Sequence, residues 1–115
     1  MNPDSKRPAW AETIIQAHSA VAGAEAVTHA GRLPSCSRYF CWTEDGENSF
    51  RADNGRDEGA MRGTTDLFTN VEYDPWARGL GAAFDEAGIA WEFTGASYEA
   101  RTGLWHLTWS WEVCG

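Results

Sequence analysis

The sequence predicts an α+β fold, in which two helices pack on one face of one mainly antiparallel β-sheet. Three observations carry this prediction: an amphipathic helical pattern near the start, a second helical pattern with a clear capping signal, and strictly alternating apolar residues at the end of the chain. Together with shorter extended segments between them, these patterns give the element order α-β-β-β-α-β-β.

The first helix is predicted over residues 8–22. Apolar residues recur there from Trp10 through Ile14 to Val21, a spacing that places one stripe on a helix. Residues 24–28 fit either a last helical turn or a short extended piece, and the pattern does not decide between them.

Three strands are predicted between the helices. Residues 38–43 are rich in aromatic and other residues that favour a pleated surface, and residues 44–48 have the composition of a turn. Residues 49–53 then form a short second strand that completes a hairpin with the first. The third strand is predicted over residues 60–69.

The second helix is predicted over residues 74–87. Asp74 can cap the free amide groups of the first turn, and Pro75 at the first helical position has no N–H group to leave unpaired. Gly88 is placed to end the helix in the left-handed conformation.

Two further strands follow, over residues 89–94 and 105–113, joined by a polar connection over residues 95–103. One face of the last strand carries Trp105, Leu107, Trp109, Trp111 and Val113. No Lys or Arg lies between these aromatic residues, so we interpret the face as sheet core rather than as a platform for stacking bases. Trp105, nearest the strand end, is the member expected at an interface.

Length and charge narrow the class of protein. The chain has 115 residues, a length that fits a single domain over residues 9–115. Its net charge of −8 argues against sequence-specific nucleic-acid binding. Residues 1–8 are polar and hold two of the four prolines, so we expect a flexible N-terminal arm. No apolar stretch approaches the roughly 20 residues needed to cross a membrane, and no secretory signal is visible. We therefore expect a protein made in the cytoplasm.

The sequence offers no catalytic or metal-binding pattern, so we expect no enzymatic activity, no metal and no cofactor. The histidines lack metal-binding spacing, and the cysteines include no C-x-x-C pair, which predicts reduced thiols. Cys41 or Cys114 could act as a nucleophile with His106 as base, but both thiols lie in or near predicted strands, where burial is the commoner role. The three cysteines of the chain are Cys36, Cys41 and Cys114, and its three histidines are His18, His29 and His106.

The order of segments over residues 33–113 resembles small tail-assembly proteins of long-tailed phages and prophages. The matching pieces are NSFRADN at residues 48–54, GTTDLFT at 63–69, the Asp74-Pro75 helix start, AGIAWE at 87–92, the turn YExxTGL at 98–104 and WSWEV at 109–113. The resemblance implies a tail terminator or tail-completion protein. Such subunits form a ring, typically a hexamer, that caps the tail tube and joins it to the head connector.

The resemblance also implies partners and a location. The partners are further copies of the chain, the tail tube protein and the head–tail connector protein, and the location is the virion, with assembly in the cytoplasm of the host bacterium. A ring of this kind needs two different complementary patches on each copy. The candidates are the polar side of the third strand and the acidic predicted turns, namely Arg62, Thr64, Asp66, Glu44, Asp45, Glu47, Asp53, Asp57 and Glu58.

An acidic immunity or inhibitor protein is the alternative that the composition leaves open. Such a protein blocks a basic toxin or a host defence effector through complementary charge. Stoichiometry separates the two hypotheses, because an inhibitor binds its partner as a monomer or dimer, whereas a terminator self-associates or joins tail and connector proteins.

Overall fold

The computed structural model describes residues 7–48 and 60–114, and its elements confirm the predicted α+β class and element order. The five strands form one sheet in the order β1-β2-β3-β5-β4, antiparallel except for the parallel pair β1–β2. The elements are α1 (Ala9–Ala22), a single 3-10 turn (Ala24–Ala26), β1 (Val27–His29), β2 (Arg38–Asn48), β3 (Ala60–Thr69), α2 (Pro75–Glu86), β4 (Ala90–Glu99) and β5 (Leu104–Cys114).

The main core lies between the two helices and one face of the sheet. Ile14 of α1 and Phe84 of α2 are fully buried against Phe40 of β2 and Trp109 of β5. The predicted core role of the last strand is confirmed for Trp109, Trp111 and Val113, whereas Trp105 and Leu107 are only half-buried. The helices therefore cover the sheet unevenly, which decides where apolar surface stays accessible.

Both ends of α2 follow their predicted signals, and α1 also ends at a glycine. Gly23 ends α1 with a φ of +86°, and Gly88 follows α2 with a φ of +75°. The Asp74 carboxylate accepts a hydrogen bond from the backbone N–H of Trp76 at 2.9 Å, which caps α2 as predicted. The alternative left open for residues 24–28 resolves into the short 3-10 turn followed by β1.

Asp74 also ties α2 to the ends of β2 and β3. Its buried carboxylate accepts hydrogen bonds from Arg38 Nε at 2.9 Å and from Thr69 Oγ1 at 2.6 Å. The Arg38 guanidinium lies 3.9 Å from the ring centre of Trp76, a cation–π contact. Burial by itself raises the pKa of Asp74, but the hydrogen bonds from Arg38, Thr69 and the Trp76 N–H outweigh it and lower the pKa.

His18 forms a second polar network inside the core. Its Nδ1 lies 2.7 Å from the carbonyl oxygen of Ile14, and its Nε2 lies 2.8 Å from Thr65 Oγ1. Trp111 Nε1 donates to the same hydroxyl at 2.9 Å, so Thr65 can give its proton to His18 Nε2 while the Nδ1–H donates to Ile14. Burial lowers the pKa of His18 to about 4, although the bond to Ile14 opposes the shift. His18 is therefore neutral at pH 7.

The predicted turn at residues 44–48 is wrong. β2 continues to Asn48 and pairs with the first half of β3, with a bulge between Glu44 and Gly46. Gly46 has a φ of +143°, so a glycine among acidic residues here accommodates a bulge instead of reversing the chain. The predicted strand at residues 49–53, with its hairpin, lies outside the described residues.

The predicted connection at residues 95–103 is also wrong, because β4 continues to Glu99 and β5 begins at Leu104. A bulge lies between Phe93 and Gly95, and beyond it β4 continues to pair with β5 through residues whose polar composition suggests a loop. The turn that remains is short, and Gly103 has a φ of +74° there. The result is a ten-residue edge strand where the sequence predicts a six-residue one.

Candidate assembly surfaces

The sheet face opposite the helices is largely polar over β3, β4 and β5. Arg62, Thr64 and Asp66 of β3 lie on this face, as the alternation of the strand predicts. A small apolar cluster occupies one end of the same face, where Leu33 and Leu104 pack against Tyr39, Cys41 and Phe68. The polar part of the face therefore lies next to an end that the apolar cluster covers.

Asp66 belongs to a cluster that spans three strands. His106 Nε2 of β5 lies 2.8 Å from Asp66 Oδ1, and His106 Nδ1 lies 3.8 Å from Glu99 Oε2 of β4. The Phe68 ring stacks on the imidazole with 4.4 Å between ring centres. These contacts hold the histidine between two carboxylates in a half-buried position.

Arg62 and Thr64 lie toward the other end of β3. Thr64 Oγ1 donates to Asp45 Oδ2 at 2.8 Å, and Arg62 Nε lies 3.8 Å from Glu112 Oε2. Asp45, Arg62 and Glu112 line a shallow depression with Glu92. The structure thus brings one predicted acidic residue next to two of the predicted β3 residues.

Glu44 lies on the opposite side of β2 from Asp45, near the β1 edge. His29 Nε2 lies 2.6 Å from Glu44 Oε1, and the His29 ring stacks on Trp42 at 3.9 Å between ring centres. The hydrogen bond with His29, followed by one from the backbone of Glu44 itself, lowers the pKa of the Glu44 carboxyl. Glu44 is therefore separated from Asp45 and from the three β3 candidates by the thickness of the sheet.

The remaining candidates are Glu47 and three residues of the segment between β2 and β3. Glu47 falls within β2, where its backbone pairs with Met61 of β3. Asp53, Asp57 and Glu58 lie outside the described residues.

The thiols and histidines do not come together as a nucleophile and base would require. Cys41 is buried, as expected, and burial raises the pKa of its thiol, which disfavours the reactive thiolate. The expectation of burial is wrong for Cys114, because this residue follows Val113 on the polar side of β5, which the helices do not cover. All three cysteines are free, and the partners of His106 are carboxylates. Within residues 7–48 and 60–114, no group of His, Cys, Asp and Glu is arranged to hold a metal ion.

Sequence reasoning missed the most exposed apolar surface. On the helix side of the sheet, α2 contacts Trp91 of β4, which is still 38% exposed, and leaves Phe93 and Tyr98 more open, with exposed fractions of 46% and 53%. An apolar groove of about 800 Å³ runs between α2 and this side of the sheet, with Phe93, Leu107 and Trp109 among its lining residues. The sequence predicts only a strand over residues 89–94 and carries no signal for this exposure.

Tyr73 and Trp105 extend the same surface. Tyr73 stands at the end of the groove with 92% of its surface exposed and a φ of +57°, an unusual conformation for a bulky residue. Trp105 lines an adjoining depression with Ala96 and Leu107, next to Tyr98 at 4.9 Å between ring centres. Trp105 is half-buried, and its place at an interface stays a prediction. Among the described helices, none is long and apolar enough to span a membrane.

No protein-family model and no curated protein matches the chain. Among solved structures, it is similar to a chain of the "Virion of native gene transfer agent (GTA) particle", with 17% sequence identity and a TM-score of 0.50. The similarity covers 95% of this chain and 100% of that chain. At this identity the similarity shows a shared α+β fold over almost the whole length.

Proposed function

We propose that this chain is a structural protein of a phage-like virion and, more specifically, a tail terminator. Copies of the chain form a ring, most simply a hexamer, that caps the tail tube and joins it to the head connector. Assembly takes place in the host cytoplasm, and the finished ring belongs to the tail or neck of the particle. The proposed role is geometric and involves no catalysis or cofactor.

The observation that carries this proposal is the fold similarity to a chain of a gene transfer agent virion, which covers all of that chain. Because fold alone does not define function, the argument also rests on this chain's own surface. The polar face around Asp66 is organised by contacts between neighbouring strands, and the groove beside α2 leaves aromatic side chains exposed. Surfaces of these two kinds suit a subunit that contacts other protein chains.

The net charge of −8 agrees with the proposed ring. A channel that passes DNA works better when its wall does not bind phosphate groups, and a negative or neutral wall meets that need. The same charge would suit an inhibitor of a basic toxin, so the deciding measurement is stoichiometry.

Light scattering over a concentration series, together with negative-stain electron microscopy, tests the ring. We expect a mass that reaches about six times 12.7 kDa, or a multiple of it, and closed rings in the images. A particle of one or two subunits at every concentration would contradict the ring and favour the inhibitor.

A double variant, Arg62→Ala with Asp66→Ala, tests whether the polar face of β3 forms a ring contact. Both side chains are at least partly exposed, so we expect weaker ring formation with the fold retained. Gln16→Ala, which removes an exposed polar side chain of α1 instead, is the matched control and should leave the mass unchanged. Rings of unchanged size and stability in the double variant would exclude this face as the contact.

A further inference from the structure

The outer edge of β4 is available for pairing. No strand in the described part of the chain pairs with that edge, and every residue of β4 except Gly95 and Glu99 is exposed. The backbone N–H and C=O groups along such an edge form a ready template for another strand.

β4 has few of the features that normally keep an edge strand from pairing. It contains no Lys and no Pro, the residues that most often block an edge. Its bulge lies between Phe93 and Gly95, so residues Gly95–Glu99 remain a regular five-residue segment. This second half of β4 is the part best suited to accept a partner strand.

Apolar side chains stand beside this segment on the helix side of the sheet. Ala96 and Tyr98 are exposed there, and Phe93 continues the strip toward the groove beside α2. A strand added at the edge would extend the sheet and bring its own side chains against this strip. Backbone pairing and apolar burial would then act together.

The length of the opposite edge indicates which strand fits. β1 forms that edge with only three residues, Val27–His29, and the part of β2 that extends beyond β1 is interrupted by the bulge between Glu44 and Gly46, so neither offers a regular partner for the second half of β4. β4 itself offers a partner of equal length and the same apolar strip. A second copy of the chain can therefore pair its β4 with the β4 edge of the first copy, in a contact where each copy uses the same surface.

We propose that β4 pairs antiparallel with β4 of a second copy, about a two-fold axis near Ser97, so that the two sheets become one. This register places Ala96 of each copy beside Tyr98 of the other. Because the bulge takes Thr94 out of the register, the same pairing also brings Arg101, in the turn after β4, near Glu92 of the other copy, and neither residue has an ion pair among the described residues. The charges at the two ends of the paired segment are therefore complementary.

This contact does not depend on the proposed ring. A cyclic ring joins two different patches, whereas the β4 contact joins a patch to itself. If both contacts form, the wild-type particle consists of two rings joined through β4. If only the β4 contact forms, the particle is a dimer.

Ala96→Lys tests the contact. The lysine would place a charge against Tyr98 of the other copy, so we expect the mass measured by light scattering to halve, from two rings to one or from dimer to monomer. Ala20→Lys is the matched control, because Ala20 is an exposed residue of α1, and its mass should equal that of the wild type. Circular dichroism confirms that both variants are folded.

Two outcomes of that experiment overturn the proposal. They are a wild-type protein that stays monomeric at its highest soluble concentration, and an Ala96→Lys variant with the wild-type mass. A wild-type ring of unchanged mass in Ala96→Lys would leave the ring standing and reject the β4 contact. A wild-type dimer that the variant turns into a monomer would support the β4 contact and reject the ring.

A charge exchange provides a second test that does not disturb the strand. Arg101→Glu alone and Glu92→Arg alone each place like charges together, so each should weaken association about tenfold. The double variant restores opposite charges in reversed order and should recover most of the wild-type affinity in sedimentation measurements. A double variant no tighter than the single variants would overturn the proposed register.

Discussion

β3 and β4 have the same length, ten residues each, but opposite environments. β3 lies in the centre of the sheet with a hydrogen-bonded strand on either side, and Thr65, Leu67 and Thr69 along it are fully buried. β4 lies at the edge, and no residue in it is buried. Both strands carry apolar residues, so the difference in burial between them comes from their positions in the sheet.

The cause of the contrast is the reach of the helices. His18 of α1 bonds Thr65 in the middle of β3, and Asp74 ahead of α2 bonds Thr69 at its end. On β4, by contrast, α2 contacts Trp91 through Phe84 and Asp85, while Phe93 and Tyr98 stay about half exposed. We infer that β3 and its neighbours supply most of the stability, while β4 is left for contact with another chain.

The largest effect is expected where β3 meets α2. Asp74→Ala removes the cap of α2 and leaves Arg38 and Thr69 without their buried partner, so the free energy of unfolding should fall by about 4 kcal/mol. In dilute protein, Glu92→Ala, which removes an exposed carboxylate of β4, should change the free energy of unfolding by no more than about 0.5 kcal/mol. Guanidinium chloride unfolding of both variants measures the difference, and equal losses would refute the contrast between the strands.

One glycine in each strand allows a closer comparison. A Cβ atom at Gly63 of β3 would lie 2.2 Å from the Trp111 ring and 2.6 Å from the carbonyl oxygen of Thr43. Gly63→Ala should therefore cost about 3 kcal/mol through overpacking. At Gly95 of β4 no atom lies within 4 Å of the added Cβ, so Gly95→Ala should stay within about 0.5 kcal/mol of the wild type. A Gly63 variant as stable as the Gly95 variant would mean that Trp111 can move aside.

The buried side of this contrast was largely predictable from the sequence. Alternation in the last strand identifies Trp109 and Trp111 as core, and the Asp74-Pro75 pair identifies the start of α2, because both signals are local. The bulge at Gly46 was not predictable, since acidic residues around a glycine are equally common in turns. Strand pairing decides between the two, and it depends on residues far away in the chain.

Of the candidate surfaces, one was also predictable from the sequence and the other was not. The alternation of β3 correctly places Arg62, Thr64 and Asp66 on one side of the strand. The exposure of Phe93 and Tyr98 could not be predicted, because a period of two shows which residues share a face and gives no measure of how far a helix covers it. That coverage is a tertiary property.

His18 provides a test of the β3 network that depends on pH. Because burial lowers its folded-state pKa to about 4 from 6.5, the unfolded chain takes up a proton first as the pH falls. The stability is complete above pH 6.5 and is lost progressively toward pH 4, by about 2 kcal/mol between pH 7 and pH 5. His18→Gln should lose much less over that interval, whereas His29→Gln, which alters an exposed histidine, should retain the loss. Urea unfolding at pH 7 and pH 5 measures the loss of stability in each protein. If His18→Gln shows the same loss as the wild type, groups other than His18 cause the pH dependence.

The smallest effect on stability is expected on β4 at Tyr98. More than half of this side chain is already exposed, so Tyr98→Ser should lower the free energy of unfolding of the monomer by less than about 1 kcal/mol. The measurement needs dilute protein, because self-association stabilises the folded state by an amount that rises with the logarithm of the protein concentration. At high concentration the same variant should associate more weakly than the wild type, since Tyr98 belongs to the proposed contact. A variant with full association and a stability loss as large as that of Gly63→Ala would place Tyr98 in the core and remove the distinction between the two strands.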